Sequence, residues 1–115
     1  MALVTVIETN TFLRDAAGLF SESERGALVD YLSANPFAGD EIRGSGGVRK
    51  VRFAVGGRGK SSGARVIYFI YDLDHPLILF TCYGKSDRAN LSDREVNELA
   101  RVSAAIKTAF RRNPT

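Results

Sequence analysis

Between Ile42 and Tyr71 the sequence holds seven basic side chains, Arg43, Arg49, Lys50, Arg52, Arg58, Lys60 and Arg65, and no acidic one. The rest of the chain is net negative, so the protein is electrically two-sided. Solvated structural faces intersperse both signs, and a one-signed block on foldable sequence points to a polyanion, nucleic acid above all. A site built from Arg, Lys and Tyr suits RNA, which supplies its own nucleophile in the 2′-hydroxyl. The protein must then help remove the 2′ proton, stabilise the charge developing on the scissile phosphate and protonate the leaving 5′ oxygen. A lysine acts as base where neighbouring cations and partial burial favour its neutral form, and Lys50 is crowded in sequence between Arg49 and Arg52. Arginine, always charged and fork-shaped, suits the phosphate. Tyr83 and Lys85, two residues apart, form a second candidate pair, with the tyrosine ring available to stack on a splayed base. Carboxylates are absent from the block, which argues against a magnesium-dependent nuclease.

Other chemistries find little support. Gly59-Lys60-Ser61 resembles the end of a phosphate-binding loop, but Ala54 stands where that motif needs glycine and a strand follows the serine. His75, beside Pro76, reads as a solvated turn histidine. Cys82 alternates with Phe80 and Ile78 and reads as a small core residue. One cysteine and one histidine provide neither a disulfide nor a zinc site, and no Ser-His-Asp set is available. No cofactor and no metal are implied.

The elements that must position these residues follow from periodicity. Leu3 to Glu8 is a β-branched run and the first strand. Phe12, Leu13, Ala16 and Phe20 fall at helical spacing, and Ser21-Glu22-Ser23-Glu24 is a capping box opening a second helix that stops at Asn35-Pro36. Gly39, Gly44, Gly46 and Gly47 mark an irregular connection. Val48 to Val55 alternates, placing Arg49, Val51, Phe53 and Val55 on one face and Lys50, Arg52 and Ala54 on the other. Arg65–Tyr71 and Leu77–Tyr83 are the next strands, completing a meander. Ser92-Asp93-Arg94-Glu95 caps a last helix whose Val96, Leu99, Ser103, Ile106 and Phe110 face the sheet. The order β-α-α-β-β-β-α describes an α+β fold, a helical hairpin with a mostly antiparallel twisted sheet. At 115 residues, 44% of them hydrophobic, the chain makes one domain, 1–115. No apolar run approaches the ~20 residues of a membrane helix, so a cytoplasmic protein is expected.

Three stretches carry a family resemblance: Gly44-Ser45-Gly46-Gly47-Val48-Arg49-Lys50-Val51-Arg52, then Gly57-Arg58-Gly59-Lys60-Ser61-Ser62-Gly63-Ala64-Arg65-Val66-Ile67-Tyr68, then Tyr83-Gly84-Lys85 leading to Ala89-Asn90-Leu91-Ser92. In order and spacing they resemble the RelE/ParE toxin superfamily, in its HigB-like branch. The resemblance implies a RelE-like fold and a type II toxin, a metal-independent endoribonuclease that cuts messenger RNA in the A site of the 70S ribosome. It also implies a cognate antitoxin, helix-turn-helix and HigA-like, with operator DNA bound only through the toxin–antitoxin complex. By the same resemblance, Lys50 or Lys85 assists as base, Arg52 and Arg65 hold the phosphate and Tyr83 positions a base. Arg43, Arg49, Arg58, Lys60 and Arg88 are the candidate RNA-binding residues. The last-helix tyrosine of RelE has no counterpart here, and the assignment of acid and base stays open. Two other functions fit the same fold: a ParE-like gyrase inhibitor, and a non-catalytic module that binds nucleic acid or antitoxin.

Overall fold

A computed structural model describes residues 3–56 and 63–112. Its elements run β1 (Val6–Glu8), α1 (Asn10–Ala16), α2 (Glu22–Ala34), β2 (Asp40–Glu41), β3 (Arg49–Phe53), β4 (Ala64–Phe69), β5 (Leu77–Gly84) and α3 (Asp93–Arg112). The strands form one sheet in the order β1-β5-β4-β3-β2, with β1 parallel to β5 and the other neighbours antiparallel. This is the expected α+β order with one addition, β2, inside the glycine-rich connection. Asp and Glu are poor strand formers. They pair here because the chain approaches β3 closely at Gly39, where an added Cβ would lie 2.9 Å from the Lys50 carbonyl oxygen. The Gly39 N–H donates to the Tyr68 hydroxyl at 2.8 Å.

Four elements are shorter than their sequence patterns: β3 covers Arg49–Phe53 of the expected Val48 to Val55, β4 ends at Phe69 and not Tyr71, and β1 and α1 are cut back further. Val4 does not extend β1, because its N–H donates to the Ser33 carbonyl (3.1 Å) and its own carbonyl accepts from Ser33 Oγ (2.6 Å), both at the end of α2. Helix α1 stops at Ala16, and the turn that follows carries Phe20 to the Phe53 ring at a centroid distance of 6.1 Å.

β4 is the centre of the molecule, and all six of its residues are buried. Its period of two serves two cores at once. Ala64, Val66 and Tyr68 meet Phe12, Leu28 and Leu32 of α1 and α2, whereas Ile67 and Phe69 face Leu99 and Ile106 of α3. Each fully buried side chain of this size stabilises the fold by about 2 kcal/mol. Helix α3 docks closely because Ser103 is small and its Oγ donates to the Ser45 carbonyl at 2.9 Å. Gly46, at φ 77°, leaves the room that contact needs.

β5 breaks the alternation expected of it. Between Ile67 and Tyr68 the partner on β5 jumps from Thr81 to Leu79, leaving Phe80 as an extra residue. Leu79 and Cys82 therefore belong to the α1/α2 core, and Phe80 and Tyr83 to the α3 core. Cys82 is a buried core residue as expected, but on the face opposite Phe80, and burial pushes its thiol up to about 12.

His75 is not a solvated turn residue. It is 7% exposed, its Nδ1 lies 2.6 Å from Asp72 Oδ1, and its ring stacks 4.5 Å from Phe110 at the far end of α3. The last turns of α3 reach back over the β4–β5 turn and cover it.

Both capping boxes form. In the first, Ser21 Oγ accepts from Glu24 N–H (3.1 Å) and Glu24 Oε1 accepts from Ser21 N–H (2.9 Å). Glu24 Oε2 also accepts from the Gly56 N–H at 2.6 Å, tying α2 to the end of β3. The Ser21 and then the Gly56 backbone bonds hold the Glu24 carboxyl below the usual carboxylate range. A glutamate of the unfolded chain titrates near ~4, so this contribution is complete at neutral pH and is lost as the pH falls through that value toward the folded one. Glu24→Gln is expected to make the drop in Tm between about pH 6 and about pH 3 shallower than in the native chain. An unchanged acid limb in thermal melts would contradict the assignment.

Candidate functional site

The pairing of β3, β4 and β5 writes a row across the sheet on the face that α3 covers only in part. Arg52 stands opposite Arg65, and Arg65 opposite Tyr83. Lys50, two residues before Arg52, shares that face and lies opposite Ile67. Tyr83 joins the row only because the bulge at Phe80 has reversed the facing of β5 beyond it.

An open cleft of about 690 Å³ lies over the row. Its floor is Lys50, Val51, Arg52 and Arg65. One wall is Tyr31, Ala38 and Asp40, and the other is Lys85, Ala89 and Asn90. Four cationic side chains thus meet one carboxylate. The two arginines of the row are like charges directly opposite one another on neighbouring strands, an arrangement that costs stability. Arg65 is only 7% exposed, whereas Arg52 lies in the open. A buried cation beside an exposed one at an open cleft is an arrangement that can bind an anion with several oxygens. A phosphodiester has that character.

The other residues expected at the site are distributed unequally. Lys85 lies one residue beyond the end of β5 and is exposed in the cleft wall. Tyr83 does not line the cleft: it is 7% exposed, and the Arg88 guanidinium covers its ring at 4.6 Å. An open stacking platform is therefore not what Tyr83 presents. Burial pushes its phenol up, Arg88 and Arg65 draw it back, and its hydroxyl has no hydrogen-bond partner among the described residues. Arg49, expected to crowd Lys50, turns away: its Nη1 donates to the Gly39 carbonyl (2.6 Å), its guanidinium lies 5.2 Å from the Phe37 ring centroid, and it pairs with Glu41. Period two puts consecutive residues on opposite faces, so sequence neighbours on a strand are not neighbours in space. Arg43 is exposed in the β2–β3 turn and Arg88 is engaged with Glu95, neither lining the cleft. Arg58 and Lys60 lie outside the described residues, as does Gly59-Lys60-Ser61.

Tyr31, Asp40 and Asn90 are cleft residues that the basic block does not reveal. Asn90 is the most direct, since its Oδ1 accepts from Lys50 Nζ at 3.3 Å. Asp40 is close in sequence to the start of the block, and the short strand β2 lays it opposite Lys50. Only the pairing of β2, invisible to propensity, could have pointed to it. Among the described residues no group of three or more His, Cys, Asp or Glu side chains is arranged to hold a metal ion, and no helix is long and apolar enough to cross a membrane.

Residues 39–113 match the family described as the RelE toxin of the RelE/RelB toxin–antitoxin system. That stretch runs from the residue before β2 through α3 and holds every cleft residue except Tyr31 and Ala38. The chain belongs to the RelE toxin family. Two solved structures share the RelE fold. One is the RelBE2 toxin–antitoxin complex of Mycobacterium tuberculosis, matched at TM-score 0.51 and 24% identity over 72% of this chain and 99% of that one. The other is E. coli RelE in the free state, with two arginines changed to alanine, matched at TM-score 0.54 and 20% identity over 90% of this chain and 98% of that one. Membership agrees with the resemblance seen in the sequence at the level of the superfamily. The cleft lies in the part of the chain that the RelE family defines.

If the Arg52–Arg65 row is kept for ligand and not for folding, removing the exposed member should relieve it. Arg52→Thr is expected to raise stability by about 0.5 kcal/mol in urea denaturation at low ionic strength, with the gain shrinking as salt screens the pair. A clear loss of stability would show that Arg52 supports the sheet.

Proposed function

We propose that this RelE-family toxin is a ribosome-dependent messenger RNA endonuclease, cutting by attack of the RNA 2′-hydroxyl without a metal. The observation that carries the reading is the convergence of Lys50, Arg52, Arg65 and Lys85 on one cleft, with Arg52 set opposite Arg65. Such crowding is unfavourable to the free fold and favourable once a phosphate bridges the cations. Arg52 and Arg65 hold the scissile phosphate and stabilise its developing charge. Lys50 and Lys85, on floor and wall, are the groups placed to move protons at the 2′ and 5′ oxygens. The 2′-hydroxyl is the nucleophile, so no metal need generate one. Tyr83, covered by Arg88, closes the row beside Arg65.

The partner that restrains this activity is a cognate antitoxin, and the HigB-like resemblance makes it a helix-turn-helix, HigA-like one. Charge complementarity over the positive cleft favours an acidic or amphipathic segment that folds on binding. Operator DNA would be bound by the complex and not by the toxin alone, and the site of action is the cytoplasm, where ribosomes and messenger are.

The test is primer extension on a defined messenger in a purified translation system, with and without ribosomes. Native protein is expected to give cuts phased to codons only when ribosomes are present. Lys85→Ala, an exposed substitution with little consequence for folding, is expected to slow cleavage about 100-fold. Arg65→Ala should do the same in preparations shown to be folded by circular dichroism. Cleavage at the native rate by both variants would overturn the reading. Absence of cuts together with trapped gyrase–DNA complexes would move the protein to the gyrase inhibitors of the same superfamily.

A further inference from the structure

The loop between β5 and α3 brings Lys85, Ala89 and Asn90 to the cleft; backbone hydrogen bonds from Lys85 N–H to the Gly63 carbonyl (3.2 Å) and from Asp87 N–H to the Gly84 carbonyl (3.0 Å) hold its first half, and one carboxylate holds its second. Glu95 Oε1 accepts from the Ser92 N–H at 2.8 Å while the Glu95 N–H donates to Ser92 Oγ at 3.2 Å, closing the capping box of α3. The same carboxylate receives Arg88, whose Nη1 reaches both oxygens, at 2.7 and 2.9 Å. Arg88 in turn lies over the buried Tyr83 ring in the row. Residues 88–92 are therefore fixed at both ends by one side chain, and Asn90 stands between the fixed points. Its Oδ1 takes the hydrogen bond from Lys50 Nζ.

We propose that Glu95 is a positioning residue: through Arg88 it fixes the loop so that Asn90 orients the Lys50 ammonium over the cleft. On this view Arg88 is not a contact to the RNA backbone but the link between α3 and the β5 row. An isolated, partly exposed ion pair is worth little to stability. Here the pair is set against a helix cap and a buried ring, and its use is geometric. The catalytic arm of the proposal rests on the ribonuclease reading above, while its structural arm does not.

The variant that isolates the pair is Glu95→Gln, since glutamine still closes a capping box but carries no charge for Arg88. In ribosome-dependent cleavage it is expected to lower kcat about tenfold with KM changed less than about twofold, the signature of an interaction needed in the transition state. Asn90→Ala should give a similar loss, and the double variant should be no worse than Asn90→Ala alone, because both act on Lys50. Losses that multiply in the double variant would overturn the coupling. A lower KM in Glu95→Gln would do so as well, since it would mean that a released Arg88 grips RNA directly.

A second measurement needs no activity. Mass spectrometry of the full chain after brief treatment with an amine-acylating reagent is expected to show Lys50 labelled about threefold faster in Glu95→Gln and in Asn90→Ala than in the native protein, because an amine no longer held by the Asn90 acceptor is freer to meet the reagent. Faster labelling in a protein that cuts no messenger would sustain the positioning role and overturn the ribonuclease reading. Labelling unchanged in Glu95→Gln would overturn the positioning role, whatever the cleavage assay shows.

Discussion

The candidate site depends on one extra residue in one strand. Phe80 bulges from β5 opposite the Ile67–Tyr68 step, and beyond it the strand presents Tyr83 to the face where Arg65 and Arg52 lie. Regular pleating would have sent Tyr83 into the α1/α2 core with Leu79 and drawn the end of β5 away from the cations. The bulge is tolerated because both faces of the sheet are covered at that point. Phe80 finds a place in the α3 core and Cys82 in the other, so neither side loses apolar burial to the reversal.

That row concentrates positive charge in the middle of the sheet. A central strand otherwise made of buried apolar and aromatic residues carries an arginine at 7% exposure, and its neighbour places a second arginine directly opposite. Elsewhere the molecule follows the ordinary rules. Capping boxes open both longer helices, Ser103 fits against Gly46, and Arg49 and Arg88 are each satisfied by a carboxylate. Like charges set directly opposite one another are the local exception, and they lie at the cleft. The same cleft is the surface that an antitoxin of opposite charge would have to cover.

Much of this was legible in the residues. The order of the larger elements, both capping boxes, the facing of Lys50 with Arg52 and the core role of Cys82 follow from periodicity and short motifs, which are local. What was not legible is pairwise or long-range. Propensity has no signal for β2, which exists because Gly39 lets two acidic residues approach β3. Alternation read Phe80 and Cys82 as facing one way because a bulge leaves no mark in the pattern. Adjacency in sequence suggested that Arg49 crowds Lys50, but the pleat separates them. His75 and Tyr83 looked exposed because the residues that bury them, Phe110 and Arg88, come from other parts of the chain. Asn90 became a site residue only when the loop closed over Lys50.

The central claim is that the cleft cleaves RNA by using the 2′-hydroxyl as nucleophile, with cations alone to hold the phosphate. The chemistry of the product ends tests it most directly. Fragments made on ribosomes by the native protein are expected to end in a 2′,3′-cyclic phosphate upstream and a 5′-hydroxyl downstream, with no cut where the nucleotide before the scissile bond is 2′-deoxy. A 3′-hydroxyl with a 5′-phosphate, or undiminished cutting after the 2′-deoxy nucleotide, would contradict the account.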